Sequence, residues 1–216
     1  MPPFNEARRD RLADAAMEIL ARDGARGLTH RAVDAEAGEP PGTTSRYFRT
    51  RDALTRGVVA RVRELHFADL ARAPAGPVEP GAIAGHLAGL VQAALTGSRS
   101  RHLAFSEMFL EATRRPELRA ALDETRSAQI DLMRKIHDAA GIELTPYQAT
   151  LLVIGISGLV TTALTTPDVI GIHSPADIPG VVGRIMADIA AGVRAVRESD
   201  PTAGTTTARG DGILPR

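Results

Sequence analysis

The sequence predicts an all-α fold, with a small N-terminal three-helix head and a larger C-terminal helical domain. Apolar residues recur at helical spacing in successive segments, which indicates amphipathic helices. Capping residues, prolines and glycines stand at the ends of these segments, where helices begin and stop. At 216 residues the chain can bury a substantial core. We expect domains at residues 1–63 and 64–197, followed by a disordered tail, 198–216, rich in Thr and Gly.

The first two helices of the head have clear local signals. The apolar face of the first, which ends at Gly24, consists of Leu12, Ala16, Ile19 and Leu20. A second helix begins after Thr29, whose side-chain oxygen can accept a hydrogen bond from the first turn. Leu28 and Val33 have the spacing of a hydrophobic staple across that start. Gly38 suits the left-handed residue that ends a helix.

A third helix is predicted from near Pro41 to about Phe48, and Thr50 caps the helix after it. Its exposed turns are expected to carry Thr43, Thr44, Ser45 and Arg46. Two short helices at a sharp turn can present such side chains to the major groove of DNA. Spacing alone is a weak signal, because a helical hairpin that binds nothing has the same pattern.

The head also resembles a known family. Residues 35–54 read AEAGEPPGTTSRYFRTRDAL, and this segment resembles the DNA-binding segment of TetR-type (tetracycline-repressor-like) regulators. The shared features are Ala-Gly, a turn, Pro-Gly-Thr, an aromatic pair and a basic cap before Ala-Leu. The motif-level resemblance covers about residues 5–60, beyond which only length and helical organisation agree. It implies a homodimeric, sequence-specific transcriptional regulator with a helix-turn-helix head. We expect a repressor that binds double-stranded operator DNA and is released by a small-molecule effector.

By position, the resemblance implies that the DNA-binding residues are Thr29, Arg31, Thr43, Thr44, Ser45, Arg46, Tyr47 and Arg51. Arg31 and Arg46 are the better candidates for sequence reading, because arginine can bridge two guanine acceptors. The sequence departs from the family at three positions. Ser45 stands in place of a phosphate-binding tyrosine, and Pro40 in place of a Ser or Thr cap. Thr44 replaces a leucine, so it is either a base contact or a modestly polar core position.

Composition limits the remaining function classes. Residues 1–63 hold 12 arginines and nine acidic residues, although the whole chain has a net charge of zero. A modest local excess suits a reader of a short operator. The chain has no cysteine, its six histidines are scattered, and no nucleophile elbow or phosphate loop is present. We therefore expect no enzyme activity, no metal and no cofactor.

Location follows from the apolar segments. The N-terminus lacks the apolar core of a signal peptide. The most apolar run, residues 151–160, is too short to span a bilayer. We therefore expect a soluble, cytoplasmic protein with no membrane partner.

The larger domain begins after a Pro/Gly-rich break at residues 72–81. Helices are predicted over residues 83–95, 102–113, 116–140, 146–164 and 179–196. Thr145, Pro146 and Gln148 combine a cap, a proline at the first position and a capping box. The helix after them is apolar nearly all round, so both faces must be covered. In the family the last two long helices pair with their symmetry mates, which implies a homodimer through residues 145–165 and 179–196. A monomer core would explain much of the same apolarity.

The resemblance also implies a small-molecule cavity among the helices of residues 83–160. Its candidate apolar walls are Phe105, Met108, Phe109, Met133, Leu152 and Ile156, and its candidate polar anchors are His86, His102, Gln129 and His137. Apolar residues at this spacing are also ordinary core, and lone helix histidines are often surface residues. The effector is expected to be apolar or weakly polar. The alternative function is a helical small-molecule-binding or catalytic bundle whose head no longer binds DNA.

Overall fold

The computed structural model of the chain describes residues 5–71 and 80–199. Within these ranges the chain is helical and contains no strand, so the all-α prediction is confirmed. The helices are α1 (Glu6–Gly27), α2 (His30–Glu36), α3 (Thr43–Tyr47), α4 (Arg51–Ala71), α5 (Pro80–Thr96), α6 (Arg99–Ala112), α7 (Pro116–Asp138), α8 (Pro146–Thr165) and α9 (Ile178–Ser199). Two short 3-10 turns, Pro167–Ile170 and Pro175–Asp177, precede α9.

Local capping signals of the head are confirmed. The Thr29 hydroxyl accepts a hydrogen bond from the Ala32 N–H at 3.1 Å, which satisfies a donor in the first turn of α2. Thr50 does the same for α4 by accepting from the Ala53 N–H at 3.0 Å. Gly38, after α2, has a φ of 63°, a left-handed conformation that glycine adopts without steric cost.

The third helix is shorter than predicted. It begins at Thr43 instead of Pro41, because Gly42 has a φ of 85° and therefore lies outside the right-handed helix. The Thr43 N–H donates to the Pro40 carbonyl across this turn at 3.1 Å. The two prolines thus belong to the turn, and α3 retains only five residues.

One hydrophobic cluster, here called the head core, holds α1, α2 and α4 together. Its fully buried side chains include Leu12, Leu20, Val33 and Phe48. The same cluster contains residues of the larger domain, namely Ala104, Met108 and Ala112 of α6 and Leu118 and Leu122 of α7. The head is therefore packed directly onto two helices of the rest of the chain.

A second cluster, here called the body core, joins α5, α7, α8 and α9. It includes Leu87 and Val91 of α5, Leu152 of α8 and Val182 of α9. The predicted capping box of α8 is confirmed, with the Gln148 N–H donating to the Thr145 hydroxyl at 3.2 Å and the Thr145 N–H to Gln148 Oε1 at 3.0 Å. In the apolar stripe of α9, the side chains of Met186, Ile189, Val193 and Val196 lie outside the described residues.

Helix α8 is long and apolar enough to cross a membrane by length and composition alone. The apolar run of residues 151–160 is the middle of this helix, which has 20 residues in all. Eight of its 20 residues are buried against the rest of the chain, as in the core helix of a globular protein, so this feature is weak support for a membrane span.

The predicted segment limits have mixed outcomes. The break at residues 72–81 and the tail from residue 198 fall largely on residues 72–79 and 200–216, which lie outside the described residues. Helix α9 continues to Ser199. The predicted boundary between residues 63 and 64 falls inside α4, and the division into domains stays a prediction.

Candidate functional site

The turn between α2 and α3 is organised by one buried carboxylate. Asp34, only 4% exposed, accepts hydrogen bonds from the backbone N–H groups of Gly42 and Thr44, both at 2.7 Å. The Thr44 hydroxyl donates to the same carboxylate at 2.5 Å. Asp34 on α2 therefore caps the start of α3, where Gly42 has no side chain to do so. The sequence has Pro40 in place of a Ser or Thr cap, and Asp34 supplies the hydrogen-bond acceptor instead.

The ionised state of Asp34 depends on these donors. Burial is the largest single influence and raises the pKa of this carboxyl, but the hydrogen bonds from Thr44 and Gly42 outweigh it. The net pKa is lowered, because a carboxylate that accepts several hydrogen bonds is stabilised in its charged form. The turn is thus held by an ionised, fully bonded group.

The predicted exposure of Thr43 and Thr44 is wrong, since both side chains are fully buried. Thr43 donates its hydroxyl to the Pro40 carbonyl at 2.6 Å, and Thr44 is bound to Asp34. The late start of α3 rotates both threonines toward the head core. They stabilise the turn and do not reach the solvent face, so Thr44 is the polar core position that the sequence left open.

The exposed face of α2 and α3 carries the remaining candidates. Arg31, Ser45 and Arg46 are exposed, and the sequence analysis missed one further exposed cation beside them, Arg49. Ser45 donates to the Gly42 carbonyl at 2.9 Å, so its hydroxyl lies close to the backbone. Among the described residues, the one hydrogen-bond partner of the Arg46 side chain is the Thr43 hydroxyl, at a long 3.3 Å.

The other predicted contacts have structural partners of their own. Thr29 is exposed, but its hydroxyl oxygen caps α2. Tyr47 is half-buried and packs against the head core. Arg51 is exposed at the start of α4 and donates to the Ala25 carbonyl at the end of α1. His30 joins the two short helices, because its Nε2 lies 2.6 Å from the Phe48 carbonyl oxygen.

Carboxylates near this face are paired with arginines of other helices. Glu39 accepts from Arg8 at 3.1 Å and from Arg11 at 3.0 Å, both on α1. Glu36 pairs with Arg22, also on α1, at 3.0 Å. Among the described side chains no carboxylate pairs with Arg31, Arg46 or Arg49. The face therefore retains its positive charge, which favours phosphate contact.

Two adjoining cavities lie between α4, α6, α7 and α8. The main cavity has a volume of about 610 Å³, and a side cavity that also reaches α5 has about 90 Å³. Both are lined by His66, Arg101, His102, Gln129, Ile156, Ser157 and Val160. The main cavity lies within the size range of small-molecule sites.

Six of the predicted ligand residues line these cavities: His102, Phe105, Phe109, Gln129, Met133 and Ile156. Three predictions are corrected, because these side chains lie on faces of their helices that are buried away from the cavities. Met108 is buried in the head core and Leu152 in the body core. His137 is buried with its Nδ1 2.9 Å from the Met133 carbonyl oxygen. The side chain of His86 lies outside the described residues.

Sequence reasoning missed the most polar residues of the cavity. Arg126 donates to Gln129 Oε1 at 3.0 Å and to the Ser157 hydroxyl at 2.8 Å. Its guanidinium also lies over the ring of Phe109, 4.9 Å from the centroid. Burial lowers the pKa of Arg126. Its helical spacing from Gln129 was visible in the sequence, but which residues face it depends on the packing of α7 against α8.

A second polar group lies where the two cavities meet. Arg101 pairs with Asp69, and its buried Nε has no hydrogen-bond partner in the described part of the chain. Burial, together with the positive charge of Arg101, lowers the pKa of His66 and of His102 to about 4. Both imidazoles are therefore neutral near pH 7. Among the described residues, no cluster of His, Asp and Glu could hold a metal ion.

Comparison with known proteins identifies the family. Residues 78–199 match the family model described as tetracyclin repressor-like, C-terminal domain. A TetR-family structure from Streptomyces coelicolor is 30% identical, with a TM-score of 0.62, and the match covers 82% of this chain and 97% of that one. The chain belongs to the TetR family of transcriptional regulators.

Other solved structures agree with this TetR-family assignment. The multidrug-binding protein EbrR, solved with imidazole, is 30% identical over 84% of this chain and 96% of its own, with a TM-score of 0.59. A TetR-family regulator from a Rhodococcus species has a TM-score of 0.67 over 85% of this chain and 99% of its own, and at 20% identity it supports the fold alone. The comparison with curated proteins finds no match. This TetR-family protein is thus a DNA-binding transcriptional regulator.

Proposed function

We propose that this regulator is a homodimeric repressor whose affinity for operator DNA is lowered when a small molecule occupies the cavity. The observation that carries the proposal is the position of α6, which contributes to both the cavity and the head core. EbrR is a multidrug-binding protein whose structures include complexes with proflavin, ethidium and malachite green. We propose that the cavity of this chain likewise binds a small molecule, because α6 forms part of its wall.

One face of α6 lines the main cavity, and the opposite face packs in the head core. His102, Phe105 and Phe109 line the main cavity. Ala104 and Met108, on the other face, are fully buried in the head core. A ligand that moves α6 must therefore repack the head as well, because closely packed cores deform little. The coupling is limited to the difference in ligand affinity between the two conformers.

Ion pairs join the turn between α6 and α7, and the first residues of α7, to the start of α4. Arg115, before α7, donates to Asp52 at 2.7 Å, and Arg56 donates to Glu117 at 2.8 Å. Both pairs are exposed and contribute little stability on their own. Their position links the turn between α6 and α7 to the helix that follows α3, so the two would move together.

The proposed DNA contacts follow from the exposed face of the head. Arg46, Arg31 and Ser45 would face base edges in the major groove, and Arg46 and Arg31 are the residues that we assign to sequence reading. The backbone contacts would be made by Thr29, Tyr47, Arg49 and Arg51. Two heads would bind successive major grooves of a near-palindromic operator, about one helical turn apart.

The homodimer is proposed to form through α8 and α9. On α8 the apolar Tyr147 and Ile154 are 55% and 58% exposed. Gly158 is also exposed, and a Cβ placed there would meet no atom within 4 Å. A helix of a second copy could approach closely at this position and cover the apolar side chains. As a regulator of transcription, the protein would act in the cytoplasm.

A gel shift on the DNA upstream of its own gene tests the DNA-binding head. We expect sequence preference and a steep loss of affinity with salt, because phosphate contacts release counterions. No binding at low salt would contradict the proposal and favour a helical small-molecule-binding protein whose head no longer binds DNA.

Arg46→Ala tests the assignment within the head. We expect it to weaken specific binding by about 1–3 kcal/mol while non-specific binding changes little. Lys135→Ala, which removes a positive charge from an exposed position on α7 outside the head, is the control. An equal loss of affinity for specific and non-specific DNA would indicate that Arg46 contacts phosphate and does not read the sequence.

A further inference from the structure

The described lining of the main cavity carries an excess of positive charge. It includes Arg63, Arg101 and Arg126 and no acidic residue. The side cavity adds one carboxylate, Asp69, which is already paired with Arg101. Because His66 and His102 are neutral near pH 7, the uncompensated charge belongs to the arginines.

Of the three arginines, Arg63 is exposed to water and Arg101 is paired with Asp69, so Arg126 is the partly buried cation whose charge is not balanced within the described part of the chain. Its hydrogen-bond partners, Gln129 and Ser157, are neutral, and both bonds come from Nη1. No carboxylate pairs with it among the described side chains. Charges withdrawn from water are normally paired, because losing hydration is costly. The remaining donors of this guanidinium are thus available to a group in the cavity.

Arg101 provides a second donor at the junction of the two cavities. Its side chain is 12% exposed, and its Nε is buried without a hydrogen-bond partner in the described part of the chain. Buried donors without a partner are uncommon in native proteins, and they mark positions where a further polar atom belongs. Arg126 and Arg101 both line the main cavity, so one ligand could contact both.

The adjoining walls are apolar. Phe105 and Phe109 pack edge to face, with ring centroids 4.8 Å apart, beside Arg126. The side cavity is bounded by residues such as Val91, Met133 and Val153. A ligand that fits both features has an anionic group at one end and an apolar body at the other.

We propose that the effector is an amphipathic organic anion, whose charged group is bound by Arg126 and whose apolar part lies against Phe105, Phe109 and the side cavity. The inference rests on the proposed effector function of the cavity and names the chemical class of that effector. It also revises the sequence-based expectation of an apolar or weakly polar effector, because the packing of α7 against α8 places a charged residue in the cavity.

Fluorescence titration of the full-length protein with three aromatic probes tests the proposal. The probes are 1-anilinonaphthalene-8-sulfonate, which is anionic, its neutral counterpart N-phenyl-1-naphthylamine, and ethidium, which is cationic. We expect the anion to bind roughly tenfold or more tightly than the neutral probe, as charge-assisted hydrogen bonds predict. Equal or tighter binding of the neutral or cationic probe would overturn the proposal.

Variants at Arg126 locate the effect. Arg126→Gln should remove most of the preference for the anion while binding of the neutral probe, which reports an intact cavity, stays within about twofold. Arg126→Lys should keep part of the preference, because the positive charge remains. Arg119→Gln, an exposed position on the same helix, is the matched control and should change neither probe.

Three further results would overturn the inference. A preference that survives in Arg126→Gln would place the anion elsewhere. If Arg126→Gln loses both probes, loss of the anion preference in a folded Arg126→Lys variant would also contradict it. Absence of binding by all three probes would reject the cavity as a ligand site, whereas the gel shift on operator DNA would still report whether the regulator itself functions as proposed.

Discussion

Asp34 in the head is a buried charged side chain and Arg126 beside the main cavity is a half-buried one, and their partners differ. Asp34 accepts three hydrogen bonds from the turn that it organises. Arg126 has two neutral partners and two aromatic rings, and no carboxylate among the described side chains. The first charge is compensated within the fold and stabilises it. The second is compensated only in part, which is the property expected of a binding site.

The largest expected effect comes from breaking the compensated site. Asp34→Ala leaves the N–H groups of Gly42 and Thr44 and the Thr44 hydroxyl without their acceptor. We expect about 3–4 kcal/mol of lost stability and loss of specific DNA binding, because buried unsatisfied donors are costly. Urea unfolding and the gel shift measure both quantities. Asp123→Ala, exposed on α7, is the control, and an equal effect of both substitutions would contradict the assigned role.

Acid should weaken the cavity region next. His66 and His102 have folded pKa values of about 4, below their value of 6.5 in the unfolded chain. The unfolded state therefore binds more protons between pH 6.5 and 4, so stability is full above pH 6.5 and falls as the pH drops through this window. We expect a loss of roughly 2–3 kcal/mol from pH 7 to pH 5.

Urea unfolding at pH 7 and pH 5 measures this loss. The double variant His66→Gln/His102→Gln should show a flatter pH dependence than the wild-type chain. Asp34 does not contribute in this window, because its lowered pKa affects stability only below about pH 4. An unchanged pH dependence in the double variant would show that other groups are responsible.

A smaller effect should follow from crowding the head core. A Cβ at Gly57 of α4 would lie 2.3 Å from the ring of Phe48, which is itself buried. We expect Gly57→Ala to cost about 1–3 kcal/mol in urea unfolding, as overpacking does. Gly89→Ala, on α5, meets no atom within 4 Å and should be neutral or stabilising by up to about 1 kcal/mol.

A compensating substitution sharpens this test. Phe48→Leu removes the ring that a Gly57 methyl group would meet, so the double variant should be more stable than the sum of the single effects implies. Strict additivity of the two substitutions would show that Phe48 and Gly57 are not in contact in solution.

The sequence by itself determined the features that depend on near neighbours. The caps at Thr29, Thr50 and Thr145 and the left-handed Gly38 each involve groups within a few residues, so local chemistry specified them. The all-α fold followed from the same signals and from helical periodicity. The family motif indicated that the head binds DNA, and its individual DNA contacts stay a prediction.

Tertiary structure decided everything that depends on which distant residues meet. Gly42 delayed the start of α3 and turned Thr43 and Thr44 inward, where Asp34 of another helix binds Thr44. The packing of α6 places Met108 in the head core and Phe105 in the wall of the main cavity, although both are apolar residues of one short helix. In the described part of the chain Arg126 lacks a carboxylate partner, because α7 and α8 place the neutral Gln129 and Ser157 beside it. Periodicity predicts that a helix has an apolar and a polar face. Burial and charge compensation depend on which helices pack together, and local sequence signals do not specify that packing.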